Sequence, residues 1–307
     1  MGASSYGRWI SREVPARFDA DREGIERRLD EICAGDLSDL PAEIADAIRN
    51  GLKSPGKRLR PLLLLFAYRA SGGEEDATLL ACAPEVIHAY SLMHDDLPCM
   101  DDDDMRRGRP TVHKVYGSRT AILGGVAMIP LAARVVRHSA RSMGLSKDAR
   151  AELLETLLAA SGSRGLIGGQ LRDLAGERLS LSLEDREAIH SAKTGALIVA
   201  SIMMGGIAAE AGEAQIAALK RYGVAVGLAF QIMDDVLDVT STTGALGKTT
   251  GRDAALGKST YPALLGVEGA RQRAQTLIAD GLESLAEQKL LTQELSQVAN
   301  FMVTRTS

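Results

Sequence analysis

Six aspartates fall within ten residues in the segment His94-Asp95-Asp96-Leu97-Pro98-Cys99-Met100-Asp101-Asp102-Asp103-Asp104. Neighbouring carboxylates raise one another's pKa unless a cation compensates them. Mg²⁺ does so through hard oxygen ligands, keeps several waters, and takes substrate phosphates as its remaining ligands. Pro98 disfavours helix at Leu97. Asp95 and Asp96 are therefore expected on a last helical turn, with Asp101 and Asp102 curling back from a loop. A solvated acidic turn is the competing reading, and the apolar helix expected before it is a poor setting for one.

A second acidic group stands in Phe230-Gln231-Ile232-Met233-Asp234-Asp235-Val236-Leu237-Asp238. Asp234 and Asp238 are four apart and share a helix face; Asp235 adjoins them. The surrounding run, Val224 to Val239, is otherwise strongly apolar. Carboxylates buried there without a metal or a cation would be costly.

Basic residues supply the third component. Lys57-Arg58-Leu59-Arg60 opens a Leu-rich run, Arg106-Arg107 follows the first acidic segment, and Lys193-Thr194-Gly195, Lys248 and Lys258 come later. Cations near helix starts suit phosphate, by charge and through free N–H groups. Any one of them alone reads as an ordinary surface charge. Combined with two acidic clusters, they describe a site for two diphosphates, one held through Mg²⁺ and one by cations. A mostly apolar cavity is left for a hydrocarbon. Ionising an allylic C–O bond needs a stabilised leaving group and exclusion of water.

The elements that must position these groups are helices. Helical periodicity covers about 20–33, 40–53, a helix opened by Arg60-Pro61, and 76–96. It continues over 118–140, 147–170, 183–209 and 212–239, with two or three shorter helices between 259 and 304. Strand-like alternation is absent, and no Pro-, Gly- or Ser-rich linker divides the chain. The expectation is a single all-α domain over 1–307, a bundle with 118–140 and 183–239 at its centre.

Composition agrees. Of 307 residues, 45% are hydrophobic and only 4% aromatic, which disfavours a sandwich or barrel. A net charge of −4 without a basic stripe argues against nucleic acid as a partner. Cys33, Cys82 and Cys99 form no CxxC pair, consistent with a reducing cytoplasm. No signal peptide is evident, and Tyr6 occupies the position where myristoylation wants Ser or Thr. The longest apolar stretch, Ala121 to Ala133, contains Pro130 and is shorter than the roughly 20 residues of a spanning helix. No membrane span or anchor is expected.

Through GKRLRP, HAYSLMHDDLPCMDDDDMRRGRPT, GGQLRDL, KTGAL, GLAFQIMDDVLDV and LGKSTYPALLG, the chain resembles the trans-isoprenyl diphosphate synthases, the bacterial farnesyl diphosphate synthases above all. The resemblance runs from about Lys57 to the C-terminus. It implies an isoprenoid-synthase-type helical bundle around a central apolar cavity, three Mg²⁺ ions per site and a homodimer. The partners implied are isopentenyl diphosphate and an allylic diphosphate. Asp95, Asp96 and Asp101 match the first metal motif, with Asp102 nearby. Asp234, Asp235 and Asp238 match the second, with Asp234 the direct ligand. Arg106, Lys193, Gln231, Lys248 and Lys258 match allylic diphosphate contacts, and oxygens around Lys193, Thr194 and Gln231 would face the carbocation. Lys57, Arg60, His88 and Arg107 match the isopentenyl diphosphate site, with Arg58 beside them. His88 lies two turns before Asp95 on nearly the same face; a satisfied core histidine is the competing reading.

Tyr90 and Ser91 stand five and four residues before Asp95, about 6–8 Å below it on a helix, where a growing tail would point. A bulky Tyr90 there favours a C15 product, whereas Leu97-Pro98-Cys99-Met100 is more reminiscent of geranylgeranyl synthases. Three departures from the family pattern stand out. Pro55 replaces a glycine, Val126 stands where the family has Asp, and Arg305 is the C-terminal basic residue without the usual terminal lysine. A terpene cyclase of the same fold would not need Lys57, Arg60 and Arg107, and a non-catalytic partner subunit would not need both aspartate groups.

Overall fold

The computed structural model describes residues 18–176, 181–240 and 260–304. Lys248, Lys258 and Arg305 lie outside them. The helices are α1 (Asp19–Gly35), α2 (Ala42–Leu52), α3 (Leu59–Ala70) and α4 (Thr78–Asp95). A two-residue hairpin follows, β1 (Met105–Arg106) and β2 (Arg109–Pro110), then α5 (Val112–Tyr116), α6 (Ser118–Ser142) and α7 (Lys147–Ser161). After these come α8 (Leu166–Ala175), α9 (Leu183–His190), a π-turn (Ser191–Gly195) and α10 (Ala196–Ala208). The chain continues with α11 (Glu213–Thr240), α12 (Tyr261–Glu287) and α13 (Gln293–Thr304). The all-α expectation holds; the hairpin is the only β-structure among the described residues.

Local chemistry sets the boundaries. Asp19 and Asp21 occupy the first turn of α1, where the helix dipole favours negative charge. Its buried residues Ile25, Leu29, Ile32 and Cys33 form one stripe. Pro61 falls in the first turn of α3, where no N–H is needed. Ser182 caps α9 by accepting from Asp185 N at 3.1 Å, and Thr260 caps α12 by accepting from Ala263 N at 3.4 Å.

The contacts divide the chain into two compact units. One holds residues up to Leu65 together with Glu74–Glu155; the other holds Phe66–Gly73 together with Thr156 onward. In the first, α4 packs chiefly against α6. The approach is close: a Cβ on Gly125 would lie 2.1 Å from Nε2 of His94. In the second, α11 packs against α12 and α10.

Two expectations change. The proposed 147–170 helix is two, because Gly162–Gly165 turns the chain between α7 and α8. The region after 259 holds α12 and α13, within the expected two or three helices, but α12 is long, 27 residues with a kink at Gly266. The helix expected over 118–140 is α6, which runs through Pro130 for 25 residues. Pro130 and Val126, whose carbonyl loses its helical partner, both lie on an exposed side. Among the described residues three segments, Ser118–Ser142, Glu184–Ala208 and Glu213–Thr240, are long and apolar enough to cross a membrane by length and composition alone. Half to two-thirds of their most apolar windows is buried within the protein.

Candidate active site

In the first unit, α4 ends at Asp95 and Asp96 is its C-terminal cap. The backbone then turns back: Asp101 N donates to Asp95 O at 2.9 Å, and Asp102 N donates to Leu97 O at 3.1 Å. The expected loop is therefore present, and it returns Asp101 to the helix end. Asp96 is buried and accepts from Arg106 through Nε at 2.6 Å and Nη2 at 2.5 Å. Burial opposes the Arg106 charge, but the bond to Asp96 more than offsets it and raises the pKa. Asp96 is thus an anchor for Arg106 as well as a candidate ligand.

Arg106 is presented by the hairpin. Arg107 and Gly108 both have positive φ, 51° and 75°, the geometry of a two-residue type I′ turn. The turn sends Arg107 Nη1 to Pro55 O at 2.5 Å. Pro55 therefore supplies the carbonyl that ties the hairpin to the Lys57 loop.

Arg58 is engaged differently from its neighbours. Its side chain is 3% exposed, 2.7 Å from both Glu85 and Glu26, and its Nη2 donates to the carbonyls of Leu52 and Ser54. Burial opposes its charge, and the two glutamates reverse the effect. With its donors turned inward, Arg58 holds the loop that carries Lys57 and leads into α3, whose first turn carries Arg60. Arg60 retains a buried Nε with no hydrogen-bond partner. Burial lowers its pKa to about 10, Glu85 opposing and Arg107 adding to the effect. His88 is held well below its ordinary value by loss of water, then by Arg60, Arg107, Arg106 and Arg58. A neutral imidazole among guanidiniums is a setting for an anion.

Tyr90 is 6% exposed and meets the His94 ring edge-on at 4.8 Å. Burial and then Asp95 raise its pKa. Ser91 Oγ donates to His88 O at 2.9 Å. Val126, at 54% exposure, turns outward beside Ile122 and Leu123. Asp102, Asp104 and His113 place potential ligand atoms within 4.8 Å of one another. Of these three, only Asp102 was singled out from the sequence. Lys114 lies 2.7 Å from Asp104.

In the second unit, the residues of KTG form the π-turn, a wider turn that recurs at functional sites. Backbone contacts hold it on two sides. A Cβ on Gly169 of α8 would lie 2.2 Å from Lys193 N, and one on Gly227 of α11 would lie 3.1 Å from Gly195 Cα. Gly227, Gln231, Asp234 and Asp238 follow at helical spacing on one face. Gln231, Asp234 and Asp238 are half-buried there, amid buried neighbours. Asp235 points elsewhere: it is buried and its Oδ2 accepts from Tyr261 N at 3.0 Å. Lys193 Nζ lies 2.7 Å from Asp173 Oδ2, and Arg186 lies 3.9 Å from the other oxygen.

The polyprenyl synthetase profile matches residues 41–297. The chain belongs to the polyprenyl synthetase family. Members of that family are prenyltransferases, and this chain is an enzyme of that short-chain class. It is 41% identical over 297 residues to the farnesyl diphosphate synthase of Escherichia coli, covering 94% of this chain and 99% of the relative. It is 44% identical over 264 residues to the chloroplastic geranylgeranyl pyrophosphate synthase 9 of Arabidopsis thaliana, covering 84% and 71%. Among solved structures, the geranyltransferase of Helicobacter pylori complexed with magnesium and isoprenyl diphosphate is 32% identical. Its TM-score is 0.77, with 94% of this chain and 96% of that one covered.

Within this polyprenyl synthetase, Asp173 was not singled out from sequence, although GGQLRDL carries it. Its signal was an acidic residue on a glycine-bearing helix, which by itself does not disclose a partner twenty residues away. Lys248 and Lys258, also expected in the site, lie outside the described residues.

Proposed function

We propose that the chain condenses isopentenyl diphosphate head to tail with dimethylallyl or geranyl diphosphate, with Mg²⁺ as cofactor and farnesyl diphosphate as product. The observation that carries this reading is Arg60. Its buried, partnerless Nε beside neutral His88 and cationic Arg107 suits a diphosphate, and a second diphosphate is what separates a synthase from a cyclase.

Asp95, Asp96, Asp101, Asp102, Asp234 and Asp238 would hold Mg²⁺, three ions per site, whereas Asp235, which the sequence also offered as a ligand, braces the second group through Tyr261 N. Their hard oxygens, two of them brought together by the Asp101–Asp95 backbone bond, suit that ion. When bound, Mg²⁺ neutralises diphosphate oxygens and so stabilises the leaving group. Arg106, Lys193, Gln231, Lys248 and Lys258 would orient the allylic diphosphate; Lys57, Arg60, His88 and Arg107 would orient isopentenyl diphosphate. The allylic C–O bond breaks with its electron pair on the departing diphosphate. The isopentenyl double bond then supplies the pair for the new C–C bond, and a proton leaves to the released diphosphate. Oxygens around Thr194 and Gln231 face the cation. The enzyme acts in the cytoplasm as a homodimer.

Buried Tyr90 favours C15. Geranylgeranyl diphosphate is the second reading, supported by Leu97-Pro98-Cys99-Met100 and by the plant relatives of about equal identity. The test incubates purified protein with Mg²⁺, isopentenyl diphosphate and labelled dimethylallyl or geranyl diphosphate, followed by mass spectrometry. A longer diphosphate is expected. A hydrocarbon or alcohol would indicate a cyclase, and no turnover a partner subunit.

A further inference from the structure

Gln170 is 8% exposed, and neither the oxygen nor the nitrogen of its side-chain amide has a hydrogen-bond partner. Buried amides are ordinarily satisfied, and one left with both atoms open signals an unseen partner. Its place in α8 indicates which. Gly169, the preceding residue, is pressed against the Lys193 backbone. Asp173, one turn along and a neighbour on the helix surface, binds the Lys193 ammonium at 2.7 Å. Gln170 is thus tied by both neighbours to the π-turn whose oxygens are assigned above to the carbocation.

We propose that Gln170 is a further catalytic residue, whose amide oxygen faces the allylic carbons on which positive charge develops. The inference rests on the prenyl-transfer reading. Gln170 forms and breaks no bond. The C–O pair departs with diphosphate, the isopentenyl π pair makes the C–C bond, and the proton leaves to diphosphate. The dipole of the amide stabilises the cation through its oxygen.

The test compares the parent enzyme with Gln170→Met, which is similar in volume and has no polar atoms, and with Gln170→Glu, which keeps a carbonyl oxygen. Single-turnover product formation, inorganic pyrophosphate affinity with Mg²⁺, and thermal midpoint are measured for each. Gln170→Met should slow single turnover by about 30-fold, in the range of a lost electrostatic stabiliser. Pyrophosphate affinity should stay within twofold and the thermal midpoint should not fall, because an unsatisfied buried group has been removed. Gln170→Glu should retain more activity than Gln170→Met. Single turnover of Gln170→Met within threefold of the parent would overturn the inference. A lowered midpoint with activity lost equally in both variants would also overturn it, by assigning Gln170 a structural role. An inactive parent would overturn the prenyl-transfer reading itself and this inference with it.

Discussion

Lys193 Nζ lies 2.7 Å from Asp173 Oδ2, so a cation assigned to diphosphate is held by a carboxylate from the neighbouring helix. Asp173 aims the ammonium and restricts its rotamers. Asp173→Asn should lower kcat/KM for the allylic diphosphate about 10-fold, and Lys193→Met by about 10²–10³, as measured by steady-state kinetics. If Asp173→Asn raised KM for isopentenyl diphosphate alone, the aiming role would be wrong.

Asp234 and Asp235 adjoin in sequence and should differ in effect. Asp234→Ala should reduce kcat by at least about 10³ while the thermal midpoint holds. Asp235→Asn loses the charge that accepts from Tyr261 N and should lower stability by roughly 1 kcal/mol. Mg²⁺ titration of activity, paired with thermal melts, separates the two.

Arg58 and Glu85, with side chains 3% and 4% exposed, form a buried pair. Removing one partner leaves the other charge uncompensated, and Arg58→Met should destabilise the protein by about 3–5 kcal/mol. The leg to Glu26, whose side chain is 48% exposed, contributes far less. Urea unfolding of Arg58→Met, Glu85→Leu and the double variant should give a double-variant loss well below the sum of the single losses.

His88 gives the protein a pH dependence of known sign. Its folded pKa lies well below the ordinary 6.5. Below that value the unfolded chain binds a proton that the folded chain refuses. Stability from this residue is present above 6.5 and is lost as pH falls toward the folded pKa. The urea midpoint of the parent should drop more between pH 7.5 and 5.5 than that of His88→Gln. Equal drops in both proteins would remove His88 as the cause.

Tyr90→Ala opens space below Asp95 and should shift product from C15 toward C20, as read by mass spectrometry. An unchanged C15 product would remove Tyr90 from chain-length control.

Much of this was legible in the linear chain because its signals are local. Pro98 ended a helix at Asp95 and Asp96, and a four-residue spacing put Asp234 and Asp238 on one face. Pro61 marked a helix start. The type I′ turn that presents Arg106 and Arg107 was not legible, because it needs positive φ at an arginine, which composition does not announce.

The sequence by itself determined the helical class, the two acidic groups and the cations gathered around them, since each depends on spacing along a few turns. Only the tertiary structure decided which charges face inward and which face a ligand. It turned Arg58 onto Glu85, Asp235 onto Tyr261 and Lys193 onto Asp173, and left Arg60 and Gln170 with open polar atoms. The reason is physical: a side chain's partner across 20 or more residues is set by how helices pack, and helix packing depends on close approaches such as Gly169 against Lys193, which no local pattern encodes.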